Sequence, residues 1–209
     1  MSDADIVDQN GRRLGPRAIE TRRRLLEATE KLLAETKLRD LRVIDIARQV
    51  GTSAATFYQY FRDVDDAVLS VADQVSQEIP GMLEMISGSW RGEAGLAKAR
   101  TIVEAFIEYW DAHQAVLRVR NLASDEGDER FRRLRAKTMT PVLMQLARVI
   151  EEHRGPDDAQ GRPAAAAAAM AAILERLAAY HRELEVIGVS REDLVESSSH
   201  ILHRTVTGE

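Results

Sequence analysis

The chain has no cysteine, which excludes a disulfide framework, a thiolate nucleophile and a Cys-ligated metal. No apolar run approaches the roughly 20 residues needed to cross a bilayer, so no membrane association is expected. The β-branched alternation of strands is missing, and the turn residues are confined to short clusters between long periodic segments. The opening residues, MSDADIVDQN, lack a basic stretch followed by an apolar one; no secretory signal is expected, and the expected location is cytoplasmic. His113, His153, His181, His200 and His203 form no HExxH or HxxxH pattern, so neither a metal nor any other cofactor is predicted. A nucleophile elbow, a phosphate loop and a dinucleotide fingerprint are likewise missing, and no enzymatic activity is expected.

What is present is a globular composition, 44% hydrophobic and 30% charged, with its charge segregated along the chain. The net charge of −5 argues against nucleic acid, but its distribution reverses that argument. From Gly11 to Arg62 there are twelve Lys/Arg against six Asp/Glu, a local +6, whereas residues 63–209 carry 17 against 25. A short basic module joined to an acidic body fits a polyanion-binding head, because phosphate contacts act by releasing counterions from a local surface.

Helical spacing of apolar residues runs nearly throughout, which predicts an all-α fold. A first helix is expected from Pro16 to Glu35, with Pro16 suited to its first turn and Ile19, Leu25, Leu26, Thr29, Leu32 and Leu33 facing a core. Val43–Val50 follows, stopped by Gly51, and Thr52 or Ser53 caps a short third helix, Ala54 to Phe61. A fourth helix is expected from Asp63 to about Ile79, ended by Pro80-Gly81. The remainder predicts a bundle: Met82–Ser87, Leu96–Asn121, Glu129–His153, Pro163–Ile187 and Arg191–Val206, with breaks at Ser87-Gly88, Gly127-Asp128, Gly155-Pro156-Asp157-Asp158 and Gly188. The expected domains are a flexible arm over 1–15, a basic helical head over 16–62 and a helical body over 63–209, with 63–80 as the connecting helix.

The segment from Val43 to Tyr58 fits a helix-turn-helix: Ala47 is small where the helices cross, and Gly51 tolerates the turn. Its stretch Ile46-Ala47, Gly51-Thr52-Ser53 and Thr56-Phe57-Tyr58-Gln59-Tyr60-Phe61 resembles the TetR family of bacterial transcriptional regulators, over Thr21 to about Val75. The resemblance implies a repressor: a dimer whose third helices enter successive major grooves of a palindromic double-stranded DNA operator, released by a small-molecule inducer held in the body. Arg42, Thr52, Ser53, Tyr58 and Tyr60 are expected at phosphates, and Ala54, Ala55, Thr56 and Gln59 at the groove floor. Phe57 and Phe61 are assigned instead to the core. Of Arg22, Arg23 and Arg24, consecutive on a helix, only one is expected at DNA.

Four positions depart from the family pattern. Val64, flanked by Asp63 and Asp65, replaces the usual lysine at the start of the fourth helix, so a phosphate contact there is expected to be weaker. Ala55 stands for a glycine, Tyr60 for a histidine, and Arg42 for a threonine, although Arg42 can still meet a phosphate. The arm Gly11-Arg12-Arg13-Leu14-Gly15-Pro16-Arg17 is expected to compensate along the backbone or in the minor groove.

In the body, Phe106, Tyr109, Trp110, Arg118, Asn121, Met139, Met144 and His181 are candidates for an inducer pocket, which needs apolar walls and a few convergent polar groups. For each apolar one ordinary core packing competes. The last two helices are expected to form the homodimer interface, through the Ala164–Ala169 run with Met170, Ile173, Leu174 and Leu177, and through Leu194, Ile201 and Leu202. Two other functions compete with regulation. An architectural DNA-binding protein would need a broad basic surface, and an enzyme would have to be built from pairs such as His181 with Glu183 or Glu185.

Overall fold

A computed structural model of the chain describes residues 12–155 and 161–208. The acidic start, Gly11 of the arm and the Pro156-Asp157-Asp158 part of one expected break lie outside the described residues. Among those described, the fold is all-α with no strand. They divide into two compact units, one within 1–76 and 115–134, the other within 77–114 and 135–209.

In the first unit, α1 (Pro16–Glu35) opens with Pro16 at a position where the first-turn amide needs no partner. It packs against α2 (Val43–Val50) and α4 (Val64–Val75), and α2 packs against α3 (Ala54–Tyr60). Leu25, Ile46, Ala47, Phe57, Ala67 and Val68 are each wholly buried. Burial of a large apolar side chain is worth about 1.5–3 kcal/mol, which is what holds two helices as short as α2 and α3 in place.

The Pro80-Gly81 pair does not end the fourth helix. That helix stops at Val75, a 3-10 turn spans Ser76–Glu78, and α5 runs Ile79–Ile86 with Pro80 in its first turn. A proline lacking its N–H is as well suited to starting a helix as to stopping one. The next helix also starts earlier than expected: α6 spans Gly92–Asp125, and its backbone leaves helical geometry at His113, where φ is −124° and ψ 20°. Then come α7 (Glu129–Arg154), α8 (Pro163–Glu185) and α9 (Arg191–Thr207).

Within the second unit α8 packs on α9. Between α5 and α6 the chain is pinned by Trp90, which is completely buried. Its indole N–H donates to the Ile86 carbonyl at 2.9 Å and its backbone N–H to His153 Nε2 at 3.1 Å, while its carbonyl lies 2.8 Å from His203 Nε2. Because His153 Nε2 accepts, the ring proton is on Nδ1, 2.9 Å from the Val149 carbonyl.

Candidate nucleic-acid interface

The turn between α2 and α3 is closed by Gly51 in the left-handed region, φ 74° and ψ 34°. There the Gly51 N–H donates to the Arg48 carbonyl at 3.0 Å and the Thr52 N–H to the Ala47 carbonyl at 2.9 Å, pairing carbonyls that the helix end leaves over. Ser53 then caps α3, its hydroxyl accepting from the Thr56 N–H at 3.2 Å and lying 3.1 Å from the Thr56 hydroxyl. Phe57 and Phe61 point inward with ring centroids 5.3 Å apart, in agreement with their core assignment.

Anchored on that side, α3 turns its other face outward. Ala55, Tyr58 and Gln59 are exposed, Ala54, Thr56 and Tyr60 half-buried. Tyr58 meets Phe57 edge to face at 5.8 Å and leaves 53% of its surface in solvent. Thr52 is half-buried and Ser53 exposed beside it. Arg42 occupies the N-cap of α2, exposed and with no side-chain capping bond. All nine sequence-predicted DNA residues thus lie on α3 or the residues leading into α2 and α3.

The three consecutive arginines of α1 have work inside the domain that the sequence did not disclose. Arg22 lies over the Phe61 ring, 5.2 Å from its centroid, and burial lowers its pKa. Arg23 holds Glu20, with Nε 2.8 Å from Oε2, and also pairs with Glu27. Arg24 donates to the Val50 carbonyl at 2.9 Å, tying α1 to the last turn of α2 beside Gly51.

The start of α4 is filled by its own carboxylates. Asp63 accepts from the Asp66 N–H at 2.7 Å, and Asp66 in turn takes the Arg62 N–H at 3.0 Å and its guanidinium at 3.2 Å. Val64 contributes no cation, and burial, with the neighbouring Asp63 charge, raises the Asp65 pKa. Nearby in the same unit, the Arg130 guanidinium 2.7 Å from Asp128 holds that carboxyl down at about 2.

The ligand candidates divide. Phe106, Trp110 and His181 are buried, Tyr109 and Met139 half-buried, and Met144 is 66% exposed; these six belong to the second unit. Arg118 is exposed and Asn121 half-buried, both in the first unit, where the deeply buried arginine is Arg120, whose Nε donates to Asn121 Oδ1 at 3.0 Å. Burial therefore singles out Arg120 rather than Arg118, and Met144 lines no interior wall. His181 faces Asp111 at 3.3 Å, and Asp111 also meets Arg182 at 3.0 Å, a pairing across α6 and α8 that sequence spacing could not supply. Beside it, the buried Trp110 Nε1 has no hydrogen-bond partner among the described residues.

On α8, Met170 and Leu174 face into the unit, as does Leu202 on α9, whereas Ala168, Ala169, Ala172, Ile173 and Ile201 face out. Met170, Leu174 and Leu202 therefore belong to the monomer's own core and not to the expected dimer face. No helix among the described residues is long and apolar enough to cross a membrane.

Residues 83–209 match the profile described as Tetracyclin repressor-like, C-terminal domain, and residues 25–67 the profile described as Bacterial regulatory proteins, tetR family. Solved structures share the fold. A tetR-family transcriptional regulator from Streptomyces coelicolor superposes with a TM-score of 0.65 at 16% identity, over 92% of this chain and 80% of that one. A regulator from Pseudomonas aeruginosa gives 0.68 at 20%, over 94% and 92%. The transcriptional regulator FadR from Bacillus subtilis, solved in complex with stearoyl-CoA, gives 0.64 at 19%, over 90% and 98%.

Proposed function

The chain belongs to the tetR family of bacterial regulatory proteins, and we propose that it is a homodimeric cytoplasmic repressor, released from a palindromic operator by a small organic molecule. Residues 16–62 are the DNA-binding domain of this reading, residues 63–209 the ligand-binding and dimerising body. The single observation that carries it is α3 itself: a helix stapled by Phe57 and Phe61 on one side, with Ala55, Tyr58 and Gln59 presented to solvent on the other.

Dimerisation is supported by the outward row on α8 and α9, where alanines allow close approach and Ile173 and Ile201 supply apolar area. A ligand in the body is supported by the buried, unpaired indole N–H of Trp110, since such a donor costs about 1–3 kcal/mol until something accepts from it. The acyl-CoA held by the Bacillus subtilis relative makes an apolar ligand a reasonable first class to screen. Release follows if the ligand prefers a conformation that binds DNA poorly, by a coupling of about 1–3 kcal/mol. The body's acidic charge weighs against the architectural reading, and the reaction-bearing motifs of an enzyme are missing from the sequence.

The test is selection of bound DNA from a random duplex library at near-physiological salt. A palindrome with half-sites about one helical turn apart supports the reading; no enrichment overturns it. Tyr58→Phe should then weaken binding of that operator by roughly threefold to tenfold with dimerisation unchanged, the value of one phosphate hydrogen bond. Unchanged affinity removes Tyr58 from the phosphate set.

A further inference from the structure

We infer that the base pairs lying under the crest of α3 are A·T pairs, with Gln59 reading an adenine and Ala55 packing on a thymine methyl. This rests on the repressor reading above and extends it to the sequence of the operator. Phe57 is wholly buried and so fixes the inward direction of the helix. At 100° per residue, the positions two before and two after it lie about 160° round the helix on either side, nearly opposite the core. Those positions are Ala55 and Gln59, both exposed, four residues and about 6 Å apart along the axis. Tyr58 and Thr56 sit lower on the two flanks, about 100° from Phe57.

The crest therefore offers the groove floor one methyl group and one carboxamide. A carboxamide, with a donor and an acceptor side by side, matches adenine N6 and N7 in the major groove, while guanine presents two acceptors there and is read bidentately by arginine or lysine. The segment AATFYQY holds neither arginine nor lysine. The basic residues nearest to it in the chain are Arg48 and Arg62, and each faces a carboxylate: Arg48 lies 3.6 Å from Asp45, and Arg62 gives both its backbone N–H and its guanidinium to Asp66. On the flank, the Thr56 hydroxyl is already 3.1 Å from Ser53. A methyl group at the position of Ala55 finds its apolar counterpart only in the C5-methyl of thymine.

Two selections from the random duplex library test this, one with the wild-type chain and one with Gln59→Arg. Residue 59 is exposed, so the variant is expected to keep the fold; a urea midpoint within error of wild type checks that. The expected result is that one pair in each half-site changes from A·T in the wild-type selection to G·C in the variant selection, the rest of the palindrome remaining. Placing G·C at that pair in the wild-type operator should cost roughly 5- to 150-fold in affinity, equivalent to about 1–3 kcal/mol. A palindrome whose responsive pair is already G·C for the wild type overturns the inference and leaves the repressor reading standing. So does a half-site that Gln59→Arg leaves unchanged. No enrichment with the wild-type chain overturns both.

Discussion

Gly95 gives the sharpest stability prediction, because helix propensity and the surrounding structure disagree on its sign. It lies in the first turn of α6, where replacing glycine by alanine ordinarily stabilises a helix by roughly 0.8–1.0 kcal/mol. A Cβ on Gly95, however, would stand 1.7 Å from the Trp90 carbonyl oxygen, 2.2 Å from its carbon and 2.9 Å from its Cα. All three are backbone atoms, so relief requires the 90–95 turn to open by more than an ångström. That carbonyl is held by His203 and the same residue's N–H by His153, and the residue is completely buried. Loss of two hydrogen bonds, about 0.5–1.5 kcal/mol each, and overpacking of about 1–3 kcal/mol outweigh the gain in propensity. Gly95→Ala should therefore destabilise by about 1–5 kcal/mol. Gly81 is the control: it lies inside α5 with nothing within 4 Å of the methyl group that alanine would add, and Gly81→Ala should be neutral or stabilising by up to about 1 kcal/mol. Urea unfolding at one fixed protein concentration, to hold any dimer linkage constant, compares the two. If Gly95→Ala unfolds at the same or a higher midpoint than Gly81→Ala, the carbonyl of Trp90 does not sit over Gly95 and the reasoning fails.

Three further outcomes are expected. Arg24→Met keeps the aliphatic stem but removes the donor to the Val50 carbonyl, and should lower stability to urea by about 1 kcal/mol while weakening operator binding, because the end of α2 positions the turn; a loss of stability without a change in DNA affinity would confine Arg24 to stability. Ser53→Ala removes the cap of α3 and should cost about 0.5–2 kcal/mol, with faster hydrogen exchange at the Thr56 amide as the local readout. Asp65→Asn should stabilise at neutral pH. Burial raises the folded-state pKa of Asp65 above 3.8, so its charge is a penalty to the folded state above that folded value. Wild type recovers the difference as pH falls from the raised pKa to the unfolded value, and the advantage of asparagine should vanish below about pH 3.8; an advantage that persists there has another cause.

Punctuation residues made the first unit legible. Pro16 opens α1, Gly51 closes α2 and Ser53 caps α3, each through local backbone chemistry that a short window of sequence contains. The same residues misled where their chemistry serves two purposes. Pro80 starts a helix as readily as it ends one, and α6 begins at Gly92, whose φ of 60° lies in the left-handed region that favours glycine, so a residue read as a breaker marks a helix start. The bend at His113 occurs without proline or glycine, so no local signal announces it. Burial of Arg120 instead of Arg118 turns on helix phase: two residues are about 200° apart, and only the tertiary structure sets which faces inward.

Charge was legible as an amount and not as an availability. The +6 of residues 11–62 suggests a phosphate-binding head. Yet Arg22 is drawn onto Phe61, Arg23 onto Glu20 and Glu27, Arg24 onto a carbonyl and Arg62 onto Asp66. A guanidinium that already satisfies a buried or paired acceptor must break that contact before it can displace a counterion from DNA. Each phosphate contact forgone in this way flattens the salt dependence by about 0.9 in the slope of log K against log salt. Operator binding by this chain should therefore depend on salt less steeply than twelve basic residues suggest, with a correspondingly larger share of its affinity contributed by the uncharged crest of α3.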